Sequence, residues 1–505
     1  MAAQKVPMTR RSWRNFDYLL LIALLLLSAY GVIMIYSATI NTLGLDNPVQ
    51  RQIVYVLVGT AILAITASVD YRLLEIFQHP ISILTPVLLV FINAGLVITW
   101  RMGQISSAQG QLASADSLPT AASFLADLPV MVTGVVLVFV AFFLDRTWLE
   151  KLDLPLPRLV FSALVILCLV ADIIVFRGSG TNLPSSLAPY LIVAGLAMVY
   201  LLDCLTLRFT DMLRNPLYML ALTMLSLLFV IGQVSGGAQS WLGAGTVQPS
   251  ELAKVLIIIV LAKFLADRED RLDRFSTVVT SLGIVAVPMV LIYLQPDLGT
   301  ALVLAAVWAV MIWMAGMRFR HLLVLVAAGL VALPLVWFSL EDYMRRRLVL
   351  FFDPTSDPDS YFNVHQALVS IGSGGWIGKG LTHGTQSQLH FLRVRHTDFI
   401  FAITAEELGF LGAVVMLGLI FFLLWRILRV AELARDTFGR LIAAGVAGLI
   451  LFQSAINIGM NLGLMPVTGL PLPFVSYGGS SFLTLMLSIG LVESVAMRHK
   501  KLEFD

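Results

Sequence analysis

The chain reads as an all-α polytopic membrane protein with about fourteen transmembrane helices, on three observations. Of its 505 residues, 58% are hydrophobic and only 13% are charged, against roughly 45–50% and about 25% in ordinary soluble domains. Apolar stretches recur along it, each near the roughly 20 residues that a helix needs to cross a bilayer. The Lys and Arg between these stretches fall in alternate loops, as the retention of cations on the cytoplasmic side requires. A net charge of +2 argues against a nucleic-acid partner. The 37 glycines and 19 methionines suit helices packed in lipid.

The elements follow in order. A basic tail, 1–16, carries Lys5, Arg10, Arg11 and Arg14 ahead of a first span at 17–36. No small-residue cleavage site follows, so this is a retained helix rather than a signal peptide. A second span, 53–69, completes the segment 17–80. Four spans at 81–99, 129–145, 158–176 and 188–204 fill the segment 81–206, which carries no chemical motif. Asp172, an acid within the span 158–176, reads as a structural residue. Cys168 and Cys204, both in apolar stretches, suggest neither a disulfide framework nor a thiolate metal site. Spans at 217–234, 251–266, 276–294, 298–316, 320–338, 398–425, 440–463 and 474–496 make up the segment 207–497, which a short tail, 498–505, follows. Arg72, Arg268, Arg271, Arg318, Arg426, Arg429 and Arg498 then share one face with the amino-terminal cations. Both termini are placed in the cytoplasm and the long loop 339–397 outside.

Four polar clusters fall on the outer side. The loop 339–397 holds Lys379, Arg393 and Arg395 and ends in His396-Thr397-Asp398. Cations kept outside run against the usual bias, which points to an anionic ligand or to anionic lipid headgroups. Its Gly372-Ser373-Gly374-Gly375 turn suggests a folded, partly re-entrant cap. The second cluster is Gln248-Pro249-Ser250-Glu251-Leu252-Ala253-Lys254. Pro249 suits a first helical position, and Glu251 and Lys254 are three apart, close enough to pair. That pair is either a site in the membrane or an interfacial ion pair that seats the helix. The third, Gln295-Pro296-Asp297-Leu298-Gly299-Thr300, is a short turn. The fourth runs from Asn457 and Asn461 through Met465-Pro466-Val467-Thr468-Gly469-Leu470-Pro471-Leu472-Pro473 to Ser476-Tyr477-Gly478-Gly479. Prolines and glycines at that depth make a broken helix, tolerated where protein or a wet cavity covers it.

The stretches QPSELAK, QPDLGTAL, SIGSGGWIGKGLTHGTQSQLHFL, HTDFIFAITAEELGFLG and NIGMNLGLMPVTGLPLPFVSYGGSS, in that order, resemble the shape, elongation, division and sporulation (SEDS) family of peptidoglycan glycosyltransferases. PVTGLPLP and GTQSQLHFL resemble its RodA branch more than its FtsW branch. The resemblance implies a ten-helix core, so that the segment 81–206 is an inserted four-helix module. Two departures stand out: Gln239-Ser240 replaces the Arg that many members carry before the Trp, and LRVRHTD lacks their Pro and Glu.

By the same resemblance, the substrate is lipid II and the product is glycan strand, made on the outer face of the bacterial cytoplasmic membrane for cell elongation and shape. Asp398 matches the family's proposed catalytic residue. Transfer from a polyprenyl pyrophosphate needs no proton on the leaving group, so one carboxylate acting as general base suffices, with inversion at the anomeric carbon. Without the resemblance, Asp398 reads equally as a carboxylate that offsets a helix dipole. Lys379, Arg393, Arg395, His396, Thr397, Glu251, Lys254, Gln248 and Ser476 are the candidate substrate contacts. Positive charge beside the pyrophosphate can come from these cations or from a divalent ion such as Mg or Mn. No protein metal ligands are assigned. A single-span class B penicillin-binding protein is the implied partner, alongside membrane lipids. A flippase for the same lipid, or a division-type polymerase, is the alternative. A flippase needs polar groups near mid-membrane, whereas these clusters lie at the outer mouth.

Overall fold

The computed structural model describes residues 15–40, 48–76, 215–231, 233–235, 238–241, 248–340, 342–354, 358–389, 391–392 and 396–498. The four inserted spans, Asp172, Cys168, Cys204, Arg393 and Arg395 lie outside the described residues. The described elements are α1 (Tyr18–Thr39), α2 (Pro48–Ser68), α3 (Pro216–Ile231), a hairpin of β1 (Gln233–Ser235) and β2 (Ala238–Trp241), α4 (Pro249–Ala266), α5 (Phe275–Tyr293), α6 (Leu298–Met314), α7 (Phe319–Ser339), α8 (Asp342–Phe352), α9 (Pro358–Ser373), α10 (Ile400–Leu433), α11 (Thr437–Asn461) and α12 (Gly479–Ala496). Single turns occur at Leu73–Ile76 and Thr385–Gln388.

Helix is therefore the dominant element, as composition implies, and among the described residues six helices are long and apolar enough to cross a membrane. Three boundaries differ from expectation for identifiable reasons. The span expected at 217–234 ends at Ile231, because Gln233–Ser235 pairs antiparallel with Ala238–Trp241. The helix expected from 474 starts at Gly479, after Phe474 adopts a φ of 64° that no continuing helix accepts. The helix expected at 398–425 runs to Leu433 but is broken at Gly409 (φ 68°, ψ −164°).

The chain divides into two compact units. One comprises 76–245 and 290–295. Within it α3 packs on β2, and the Gln295 side-chain amide donates to the Leu225 carbonyl (2.8 Å). The other comprises 1–75, 246–289 and 296–505, and α11 lies at its core against α4, α6 and α10. A Cβ on Gly445 would meet Ile258 and Met311 at 2.8 Å. Glycine is what lets those helices approach so closely. Gly59 of α2 and Gly490 of α12 serve the same purpose where those two helices pack.

This unit is also tied by charge. Arg426 pairs with Asp17 (2.6 Å), Arg72 with Asp436 (3.1 Å), Arg498 with Asp70 (3.4 Å) and Lys263 with Glu75 (2.7 Å). The Asp17 backbone N–H donates to the Glu493 carboxylate (3.1 Å). Arg72, Arg426 and Arg498, read from sequence as one cytoplasmic set, thus occur on one face, as a single membrane orientation requires.

Candidate active site

Asp398 stands two residues ahead of α10. The Nδ2 groups of Asn457 and Asn461 both donate to its backbone carbonyl (3.0 and 2.9 Å), and Asn461 Oδ1 accepts from the Ala402 N–H (3.2 Å). One turn of α11 therefore grips the start of α10. Gly469 lies beside the Asp398 carboxylate, its notional Cβ 4.0 Å from Oδ2. Burial pushes the Asp398 carboxyl up to about 6, against the opposing pull of Arg347 and of a hydrogen bond with Thr397. Such a carboxylate is ionised at neutral pH yet basic enough to accept a proton.

The residues around it come from distant parts of the sequence. Ser476 Oγ donates to the Thr397 carbonyl (2.6 Å) and accepts from the Leu472 N–H (2.8 Å). The Tyr477 N–H donates to the His396 carbonyl (3.0 Å), and the two rings lie 5.6 Å apart. The Tyr477 hydroxyl is hydrogen-bonded with Arg51. Arg347 of α8 donates from Nη1 to the Val467 carbonyl (3.1 Å). The proline-rich segment 465–476 is thus the hub, meeting Asp398, Thr397 and Arg347.

The same segment reaches the second group. A Cβ on Gly299 would lie 3.1 Å from the Thr468 carbonyl, which seats the start of α6 on the hub. There Asp297 caps α6 through the Thr300 N–H (3.0 Å). Burial raises its carboxyl, Thr300 and Lys254 draw it down, and Glu251 pushes it up. Glu251 and Lys254 are paired at 2.7 Å with side chains only 4% and 1% exposed, as their spacing predicts. The Gln248 N–H donates to Ser480 Oγ at the head of α12 (3.0 Å). All four outer clusters accordingly meet, directly or through the hub.

Lys379 is placed elsewhere. Its Nζ pairs with Glu406 Oε1 (2.9 Å) and donates to Thr385 Oγ1 (2.8 Å). Glu406 is eight residues beyond Asp398, about 12 Å along a helix axis. Sequence spacing did not indicate Arg347 or Arg51 as partners of the His-Thr-Asp segment. Arg347 lies fifty residues before it, and Arg51 belongs to α2. The signal for Arg347 was its place in the run Arg345-Arg346-Arg347 just ahead of the cation-bearing part of the outer loop, and Arg51 carried none.

Among the described residues, no three His, Cys, Asp or Glu side chains come together as a metal cage. A divalent cation at Asp398 would rely on that carboxylate and on substrate phosphate oxygens, a donor set that Mg accepts. It would there supply neutralising charge to the pyrophosphate.

The FTSW_RODA_SPOVE family, described as cell cycle protein, matches residues 159–501. The chain is 40% identical over 290 residues to the peptidoglycan glycosyltransferase MrdB of Escherichia coli K12, covering 57% of this chain and 78% of that protein. It is 40% identical over 270 residues to the stage V sporulation protein E of Bacillus subtilis, covering 53% and 73%. A chain from a solved peptidoglycan synthase complex aligns with a TM-score of 0.49 at 34% identity, over 66% of this chain and 96% of that one. With over half its length matched by the family and a relative at 40% identity covered across more than two thirds, this chain belongs to the FtsW, RodA and SpoVE family.

Proposed function

We propose that this protein is a RodA-like peptidoglycan glycosyltransferase that polymerises lipid II on the outer face of the bacterial cytoplasmic membrane. The observation that carries the reading is Asp398: one carboxylate, held by its own backbone to Asn457 and Asn461, raised to about 6 and faced by the charge of Arg347. Asp398 takes the proton of the acceptor sugar's 4-hydroxyl as that oxygen bonds to the anomeric carbon of the donor. The bond to the polyprenyl pyrophosphate breaks with inversion, and the leaving group departs as an anion that needs no proton. Arg347 supplies positive charge near that anion, and Arg393 and Arg395, five and three residues before Asp398, are the further candidates. Glu251 and Lys254, paired in the same outer group, are the candidates for orienting the acceptor. A class B penicillin-binding protein, carried over from the family, cross-links the product.

The test is polymerisation of labelled lipid II by the purified chain with its partner. Asp398→Asn, nearly isosteric and uncharged, is expected to abolish glycan product while expression and partner binding persist. Product at near wild-type yield would remove Asp398 as the base.

A further inference from the structure

We propose that the Lys379–Glu406 pair is a positioning clamp: it locks the outer loop into the break of α10 and so sets where Asp398 stands. The inference rests on the assignment of Asp398 as the base.

The break at Gly409 leaves residues 400–408 as a short half-helix, followed by a longer one from 410. Such a break strands two sets of backbone groups, the last carbonyls of one piece and the first N–H groups of the next. The loop satisfies both. The Lys379 and Gly380 N–H groups donate to the Glu406 and Glu407 carbonyls (3.1 and 2.9 Å). The Phe410 and Leu411 N–H groups donate to the Gly375 and Trp376 carbonyls (2.8 and 3.1 Å). Segment 375–380 is therefore a spliced piece of backbone inside a membrane helix, which answers the demand that such groups be paired. Glycine is required on both sides, since a Cβ on Gly409 would overlap the Gly378 nitrogen and one on Gly378 the Glu407 carbonyl.

Side chains then fasten the splice. Buried Glu406 Oε1 accepts from Lys379 Nζ (2.9 Å), Thr385 Oγ1 (3.1 Å) and the Gln386 N–H (3.0 Å). Glu407, buried beside it, accepts from the Ser37 hydroxyl of α1 and from the Thr382 N–H (3.2 Å). The adjacent acids face different ways, and each ties down the loop.

The consequence for Asp398 follows from leverage. Covalent continuity across Gly409 does not fix the axis of the half-helix, because that residue is off the helical conformation. The axis is held at the top by Asn457 and Asn461 and at the bottom by the loop. Asp398 stands about 12 Å from Glu406 along the axis, so a tilt of about 10° moves its carboxylate by about 2 Å. Misplacement of about 1 Å can cost a catalytic group roughly a hundredfold in rate. Lys379 thus acts through Glu406, whereas a lysine that bound the pyrophosphate directly would act on substrate affinity.

The experiment is steady-state polymerisation of lipid II by the full chain with its partner, for Lys379→Met, Glu406→Gln, the double neutral variant and the charge swap Lys379→Glu/Glu406→Lys. Asp398→Asn and thermal melts are run alongside. Each single variant is expected to lower kcat about tenfold or more with KM within about twofold of wild type. The double variant should be no worse than the weaker single one, and the swap should recover to within about threefold of wild type. Additive losses, or a raised KM with kcat intact, would overturn the clamp and return Lys379 to the substrate. If the swap misfolds in the melts, the neutral cycle decides alone. Inactive Asp398→Asn beside fully active clamp variants removes only the clamp, whereas active Asp398→Asn removes the base assignment beneath it.

Discussion

Asp398 is tuned by two opposed forces, and this makes its titration informative. Burial raises the carboxyl to about 6, while Arg347 and Thr397 act to lower it. A general base works ionised, so kcat/KM for lipid II should fall as pH drops through about 6, approaching tenfold per pH unit below it. Arg347 favours the charged form, so Arg347→Gln should move this acid limb to higher pH as well as slow the reaction. A pH–rate profile whose limb stays in place would separate Arg347 from the base electrostatically. The Glu251–Lys254 pair follows a different rule. With both side chains almost fully buried, removing either partner leaves an uncompensated charge, a loss of about 3–5 kcal/mol. Loss of function at either position therefore reports folding as well as chemistry.

At the scale of the element, α10 shows how a membrane helix can be interrupted. The φ and ψ of Gly409 fall in a region open essentially to glycine alone, and a side chain there would strike the Gly378 backbone. Gly409→Ala should cost about 1–3 kcal/mol from conformation alone, and more from the overlap. Gly418 on the same helix offers a control, because a Cβ there meets nothing within 4 Å. Gly418→Ala should be neutral or stabilising by up to about 1 kcal/mol, since alanine is the better helix former. Thermal melts and limited proteolysis of the loop 374–388 measure both; equal behaviour of the two variants would deny Gly409 a special role. The hub shows a related strain, with Phe474 at a φ of 64°. A non-glycine residue holds such a conformation only where its surroundings over-determine it.

At the scale of the whole molecule, the segment 81–206 is tested by deletion. The sequence reading makes it a peripheral four-helix module with an even number of spans, which leaves core topology intact. Deleting it and rejoining near Pro80 and Thr206 is expected to lower stability or partner affinity more than turnover per folded molecule. The family match begins at residue 159, within the segment, so a shorter deletion of 81–157, which also removes an even number of spans, tests where the core begins. A folded full-length deletion that binds its partner and has no turnover would make the module part of the active site.

Composition and apolar period determined the class and the presence of the described helices outside the segment 81–206, though not every boundary, because a bilayer imposes the same length rule on every helix. Motif text determined the family and pointed to Asp398. The pairing of Glu251 with Lys254 was legible because both lie on one helix at a spacing of three. What only the tertiary structure decided is which distant groups meet. Arg347 and Gly469 stand by Asp398 because the hub folds back between them. Lys379 pairs with Glu406. Its partner was hidden because the break at Gly409, not any local pattern, opens α10 to the loop. Local rules choose elements; long-range backbone satisfaction and ion pairing choose neighbours, and these contacts carry no periodic signature in the chain.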